Sequence, residues 1–221
     1  MRTFIIFLFL ISNSSFAGFF QGDYSFAGHT KKNLGDYKQR LDRFKEHFEP
    51  EVVELRGAPW DVFVDQENFD FNAYATLDFD GNPQLIVNRG LISHDRMAPE
   101  VFDLFLCHEL GHLLGGEPRI MLRSGKLSWS SVEGQADYFS TSICMPELGY
   151  NQQEIEDVAL ELSTLIAKLK GYVNLPSLLK RDKSEVYRLL QTHPRPQCRL
   201  DTMIAGLYQN ERPNCWYAKN R

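Results

Sequence analysis

Two histidines and a glutamate stand at a spacing that can bind and use a divalent metal ion. His108, Glu109 and His112 form the pattern H-E-x-x-H. Because residues i and i+4 share one face of a helix, both histidines can direct a ring nitrogen at one Zn²⁺. Glu109 is offset from them by roughly 100°, which places it beside the ion as a general base and not as a ligand.

A catalytic zinc site needs a third protein ligand and an open position. The stretch 108–115 matches the start of the longer metzincin pattern, but Pro118 stands where that pattern has its third histidine. Glu133 and Asp137 are again at i and i+4 on a predicted helix, so Glu133 can ligate the ion while Asp137 accepts the outer N–H of a metal-bound imidazole. The alternative is a capping box between Ser130 and Glu133, with Asp137 solvated.

Several helices must position these residues. Pro99 and the glycines at 115–116 bracket a predicted helix over 100–114, and its almost continuous apolar composition predicts a central, buried helix. The helix that carries Glu133 is predicted over 131–144. Apolar spacing and helix-boundary residues predict further helices over 32–48, 152–170, 184–190 and 197–208.

Strand patterns are few and short. Residues 61–65 alternate like a strand, and 73–79 with 84–88 predict a hairpin around 80–82. The acidic residues of this turn could suggest calcium, but the rest of an EF-hand loop is absent and a plain turn is favoured. Few strands and several helices predict an α+β fold.

The N-terminus is typical of a secretory signal peptide. An apolar run over 3–11 is followed by small residues ending at Ala17, so we expect residues 1–17 to be removed and a single domain over 18–221 to remain. A second cleavage motif at 25–28 and an uncleaved anchor are the alternatives. No later segment approaches the ~20 apolar residues of a membrane span, so we expect no stable membrane insertion after cleavage. The protein is therefore expected to be exported, either to a periplasm or to the medium.

Four cysteines, at 107, 144, 198 and 215, follow the predicted signal. In an oxidising compartment an even number suggests disulfides, and three pairings are open, among them a Cys198–Cys215 staple of the tail. Cys107 is expected to pack in the core and not to ligate metal, because it is rotated off the face of the two histidines.

Composition excludes one class of partner. The net charge of -5 rules out a basic nucleic-acid surface spread over the whole molecule. It does not determine the oligomeric state. His29, His47 and His94 have no partner at ligand spacing and are expected to be surface or structural residues.

The ordered set of motifs resembles the gluzincin metallopeptidases, and in particular the CAAX prenyl protease and HtpX-like family. The H-E-x-x-H pattern is followed by the Glu133 and Asp137 pair. Thr192-His193-Pro194, with Arg199 after it, is similar to a further motif of that family, and 72–75 with 85–92 resembles the hairpin that precedes its zinc helix. The resemblance covers 72–199.

This resemblance implies a zincin-like metallopeptidase domain, in which a small antiparallel sheet packs on the central H-E-x-x-H helix. It implies one Zn²⁺ per chain, with His108, His112 and Glu133 as ligands and Glu109 as the general base. The substrate would be a protein or peptide.

The resemblance also implies roles for residues near the C-terminus. His193 would lie near the metal, where it stabilises the oxyanion or caps the open zinc position, and Arg199 would brace that loop against an active-site acid. The chain differs from many relatives in having no membrane-spanning segments after its signal. We therefore do not expect this protein to share the prenylated or membrane-embedded substrates of that family.

The predicted function is that of an exported zinc metalloendopeptidase. The first alternative is a catalytically silent, zinc-stabilised binding or chaperone-like module, and the second is a hydrolase of non-peptide amides with the same metal chemistry. An edge strand near Ala75 or 85–88 is expected to pair with extended substrate.

Overall fold

The computed structural model describes residues 17–18 and 34–218 and has the predicted α+β organisation. The predicted signal peptide lies outside the described residues except for Ala17. His29 and the second candidate cleavage motif at 25–28 also lie outside them.

A four-stranded sheet contains the predicted hairpin. The strands are β1 (Ala17–Gly18), β2 (Asp61–Asp65), β3 (Ala73–Leu77) and β4 (Pro83–Asn88), in the spatial order β1-β3-β4-β2. β3 pairs antiparallel with both β1 and β4, whereas β2 runs parallel to β4, so the sheet is mixed and not antiparallel throughout as the resemblance implied. Because β4 has a neighbour on each side, the prediction that 85–88 offers a free edge is wrong. β3 also has two neighbours, but β1 pairs with it only at Tyr74 and Ala75, and Ala17 of β1 belongs to the segment that we expect to be removed.

The turn between β3 and β4 is held by hydrogen bonds to the Asp78 carboxylate. The side chain of Asp78 accepts hydrogen bonds from the backbone N–H groups of Asp80 and Asn82, at 2.9 and 2.8 Å, and from the Asn82 amide at 3.0 Å. Gly81 has φ +87°, a conformation that glycine adopts without strain. The acidic residues here therefore form the plain hairpin turn that the sequence favours.

Helix α1 (Leu34–Arg56) is longer than predicted, because it continues through Pro50. Phe48 and Val52, on either side of the proline, are both buried in the core, and their burial favours continuation of the helix over the break that proline usually causes. The helix ends at Arg56 and is followed by Gly57, which has φ +74°. The Arg56 guanidinium then donates to the carbonyl oxygens of Leu113 and Trp129, the latter at 2.8 Å.

The predicted central helix is confirmed. A short helix, α2 (Arg89–Ile92), leads from the sheet into α3 (Pro99–Leu114), in which every residue from Val101 to Leu113 is buried. The two histidines and the glutamate of the H-E-x-x-H pattern therefore lie inside the protein.

A second, two-stranded sheet follows α3 and was not predicted. β5 (Arg119–Met121) pairs antiparallel with β6 (Leu127–Ser131), and Arg119 lies opposite Ser131. Because Ser131 is held in this ladder, the next helix cannot begin there as predicted.

The helix that follows begins at Glu133. α4 (Glu133–Phe139) continues as a π-helical segment (Ser140–Cys144) and then as α5 (Met145–Glu147). The predicted span 131–144 thus starts two residues too early, and the helical stretch continues beyond its predicted end to Glu147. Val132 occupies the N-cap position and makes no side-chain cap hydrogen bond.

Two longer helices complete the described fold. α6 (Gln152–Leu169) starts with a capping box between Asn151 and Glu154, and α7 (Pro196–Leu207) matches the predicted helix within a residue. The predicted helix over 184–190 is wrong, and this stretch is irregular. Instead, the backbone N–H of Val186 donates to the carbonyl oxygen of Asn214, and that of Leu190 donates to the carbonyl oxygen of Trp216. Each of these hydrogen bonds to the C-terminal tail is 3.0 Å long.

One disulfide joins α3 to the π-helical segment after α4, and another joins α7 to the C-terminal tail. They join Cys107 to Cys144 and Cys198 to Cys215. Cys107 is buried, as expected, but it is a half-cystine and not a free packing residue. Among the described residues, no helix combines the length and the apolar character that crossing a membrane requires.

Candidate metal centre

Three side chains from two helices converge on one point in the core. The Oε2 atom of Glu133 lies 3.2 Å from Nε2 of His108 and 3.7 Å from Nε2 of His112. Ligands at 2.0–2.1 Å around a tetrahedral zinc lie roughly 3.3 Å apart, so these separations match a shared ion. The three groups can therefore hold a metal ion.

His108 is oriented by a chain of charged side chains from two other helices. Its Nδ1 atom lies 2.8 Å from Oδ1 of Asp137 on α4. Arg199 on α7 donates to both oxygens of that carboxylate, through Nη2 at 2.6 Å and Nε at 2.8 Å. All three side chains are buried. The aspartate thus fixes the ring with Nε2 toward Glu133, and the arginine supplies the countercharge.

His112 is oriented by neutral groups. Its Nδ1 atom lies 2.9 Å from the backbone oxygen of Ser131 and 3.2 Å from the hydroxyl of Ser130, which itself donates to the Ser131 oxygen at 3.0 Å. The carbonyl accepts Nδ1–H and leaves Nε2 for the ion. The Ser130 hydroxyl therefore contacts the His112 imidazole and does not form the alternative capping box with Glu133. The sequence did not reveal these contacts.

Glu109 lies beside the three ligands and is fully buried. One of its oxygens, Oε2, accepts the backbone N–H of Ala75 on β3 at 2.8 Å. The other, Oε1, has no hydrogen-bond partner among the described residues. A buried carboxylate with one tethered and one unused oxygen is suited to accept a proton.

His193 reaches the same site from the irregular segment before α7. Its Nε2 atom lies 3.1 Å from Oε2 of Glu133, yet the group of atoms close enough to share one ion contains His108, His112 and Glu133 without it. The structure therefore places His193 against the carboxylate ligand, at the margin of the site.

Burial and charge set different pKa values for the three imidazoles. For His108 burial acts to lower the pKa, but the Asp137 carboxylate outweighs it and raises the value to about 9. Burial lowers the pKa of His112 to about 4 and that of His193 to about 3, although Glu133 opposes both shifts. His112 can therefore offer its lone pair at neutral pH without first losing a proton, whereas His108 must release one when it binds the ion.

The carboxylates also differ. For Glu133 burial acts to raise the pKa, but the surrounding histidines outweigh it and lower the value. Arg199 likewise holds the pKa of Asp137 below its usual range against the effect of burial. Burial raises the pKa of Glu109 well above its usual value. A dication among these atoms would favour the ionised form of Glu109.

Close contact between α3 and α4 sets the distance between the histidines and Glu133. A Cβ atom on Gly111 would lie 2.8 Å from Cα and 2.9 Å from the oxygen of Ala136. No side chain fits there, so the glycine inside the H-E-x-x-H pattern lets the two backbones touch.

A second cluster of metal-ligand residue types is not a comparable site. Asp182 lies close to the sulfur atoms of Cys198 and Cys215. Because these sulfurs form a disulfide, they present no thiolate to a cation.

Comparisons of the chain with protein-family models, with curated proteins and with solved structures found no match. The geometry of the site is thus the basis for assigning a function. It brings together every residue that the sequence singled out, and it adds Ser130, the Ser131 carbonyl and the Ala75 amide.

Proposed function

We propose that the protein is a zinc-dependent metallopeptidase with a gluzincin arrangement in a zincin-like domain, of the kind that the resemblance to the CAAX prenyl protease and HtpX-like family implies. One observation supports this most strongly: two imidazoles and a carboxylate converge in the core beside a buried glutamate that has an unused oxygen. A purely structural zinc site needs no such base and is usually closed by four Cys or His ligands.

The donor set supports zinc as the ion. His108 and His112 offer nitrogen and Glu133 offers oxygen, a combination typical of catalytic zinc sites with three protein ligands. Burying these groups without a partner would cost several kcal/mol each, and Nε2 of His112 has no hydrogen-bond partner among the described residues. Zinc bound there supplies Lewis acidity and lowers the pKa of a coordinated water toward ~7.

Glu109 is the proton carrier of the proposed mechanism. The Ala75 N–H holds Oε2, so Oε1 is the atom that takes a proton from the attacking water. The same carboxyl group then passes that proton to the leaving amine.

His193 is proposed to stabilise the oxyanion. It contacts Glu133 at 3.1 Å and belongs to no ligand group of the described residues, so a role as hydrogen-bond donor at the site margin fits it better than ligation. Its low pKa makes it neutral at pH 7, and a neutral imidazole still donates one N–H.

The outer edge of β3 is proposed to bind an extended peptide. β1 already pairs there, with Ala17 opposite Ala75 and Gly18 opposite Tyr74, so this edge accepts a strand. Because the Ala75 N–H contacts Glu109, a peptide along the edge would run past the proposed base.

Export is proposed from the predicted signal peptide and is supported by the two disulfides, which persist in oxidising compartments. We expect intact-mass measurement of the exported protein to show a chain that begins at Gly18.

The test of the proposed activity is Glu109→Gln, compared with Glu100→Gln on the same helix, where the side chain is exposed. Loss of a general base typically costs about 10²–10⁴-fold in rate. We expect E109Q to retain one zinc per chain and to lose casein cleavage, while E100Q keeps both. Undiminished cleavage by E109Q would refute the assigned mechanism, and zinc binding without any cleavage by the wild type would favour the silent module.

A further inference from the structure

Both disulfides begin next to a residue of the metal centre. Cys107 directly precedes His108 on α3, and Cys198 directly precedes Arg199 on α7. Each half-cystine is buried. Each disulfide is therefore attached to a different helix, directly beside a residue of the metal centre.

The first disulfide ties the helix of the imidazoles to the helix of the carboxylates. Cys144 is the last residue of the π-helical segment that continues α4, and the Cα atoms of Cys107 and Cys144 are 5.5 Å apart. Glu133 and Asp137 lie at the start and in the middle of α4. The π-helical segment that continues α4 is thus fixed to α3 beside His108.

The second disulfide acts on the opposite end of α4, through a tryptophan. Cys215 is followed by Trp216, which is fully buried, and a Cβ atom on Gly134 would overlap the Trp216 ring. Gly134 directly follows Glu133. The disulfide therefore holds the indole ring against Gly134, next to the carboxylate ligand, so the helical stretch 133–144 is fixed near its start and at Cys144.

We propose that the two disulfides position Glu133 and the Asp137–Arg199 pair for metal binding, beyond their contribution to the stability of the fold. This inference rests on the proposed zinc-dependent function. Metal–ligand distances tolerate only small errors, of about 0.2 Å, and α4 carries both the ligand and the aspartate that orients His108. A small shift of this helix would therefore weaken metal binding in a chain that still folds.

Zinc affinity separates this role from ordinary stabilisation. A disulfide stabilises mainly by restricting the unfolded chain, an effect that leaves the affinity of the folded protein for zinc unchanged. The variants are Cys198→Ala with Cys215→Ala, and Cys107→Ala with Cys144→Ala. The metal-free folded proteins are titrated with zinc against a chromophoric chelator, and their unfolding is followed in urea.

We expect each pair of substitutions to weaken zinc binding about 10–100-fold, the range seen when groups that orient metal ligands are lost. The matched control is Leu41→Ala, a core substitution in α1 of comparable destabilising effect, which should leave zinc affinity unchanged. Wild-type affinity in the folded cysteine variants would overturn the proposal.

A third variant keeps the test decisive if the cysteine variants do not fold. Trp216→Leu retains both disulfides but removes the ring from Gly134, and we expect it to weaken zinc binding roughly two- to thirtyfold. Unchanged affinity in this variant would also overturn the proposal. A wild-type protein that binds no zinc would instead refute the proposed function itself.

Discussion

The two imidazoles of the centre sit in contrasting surroundings. His108 is held by Asp137 and Arg199, charged side chains from α4 and α7. His112 is held by the backbone oxygen of Ser131 and the hydroxyl of Ser130, both from β6. One surrounding is a buried ion pair between helices, and the other is a neutral contact to a strand.

This difference indicates where the site is vulnerable. A backbone carbonyl survives any substitution of its own side chain, whereas a buried carboxylate and guanidinium depend on each other. The pKa values show the same contrast, about 9 for His108 and about 4 for His112. We therefore expect substitutions near His108 to have larger effects than substitutions near His112.

The largest effect is expected for Arg199→Gln. Removing one partner of a buried pair leaves the Asp137 carboxylate without its countercharge, which typically costs about 3–5 kcal/mol. Urea denaturation of the metal-free protein measures this loss. The control is Arg188→Gln at an exposed position, where the free energy of unfolding should stay within about 0.5 kcal/mol of wild type. Equal stability of R199Q and R188Q would contradict the inference that the buried Asp137 carboxylate depends on the countercharge of Arg199.

Asp137→Asn should have the next largest effect, on metal affinity. The amide keeps the shape of the side chain but loses the charge that orients His108, so we expect zinc to bind about 10–100-fold more weakly. Asp157→Asn, at an exposed position on α6, is the matched control and should bind as wild type does. A competition titration with a chelator measures both, and equal zinc affinity of the two variants would show that His108 needs no charged partner.

The smallest effect is expected for Ser130→Ala on the His112 side. The substitution removes one hydroxyl contact and leaves the Ser131 carbonyl in place. The expected loss of stability is about 0.5–1.5 kcal/mol, the usual net value of a hydrogen bond, with little change in zinc affinity. A loss of zinc affinity as large as that of D137N would contradict the expectation that zinc binding depends more on the partners of His108 than on those of His112.

The sequence predicted the residues of the site better than the contacts that orient them. Helical spacing indicated that His108 and His112 share a face, because i and i+4 do so wherever a helix forms. Glu133 was predicted because a catalytic zinc needs a third protein ligand. The contact of His112 with Ser131 could not be predicted in this way, since it uses a main-chain oxygen that every residue type carries. The Ala75 amide escaped prediction for the same reason.

The fold was predictable where local pattern and burial agree. The apolar run of α3 gave a helix with nearly the expected bounds. Pro50 did not end α1, because the buried side chains around it favour continuation. The stretch 184–190 did not form a helix, because its N–H groups pair with the tail. In both failures contacts distant in sequence outweighed a local preference.

The most direct test of the account is the metal content of the purified, folded protein, with X-ray absorption spectroscopy to identify the ligands. We expect one zinc per chain, bound by two imidazole nitrogens and a carboxylate oxygen, and loss of that zinc in Glu133→Ala. A folded protein that contains no stoichiometric metal and takes up none from a zinc solution would contradict it.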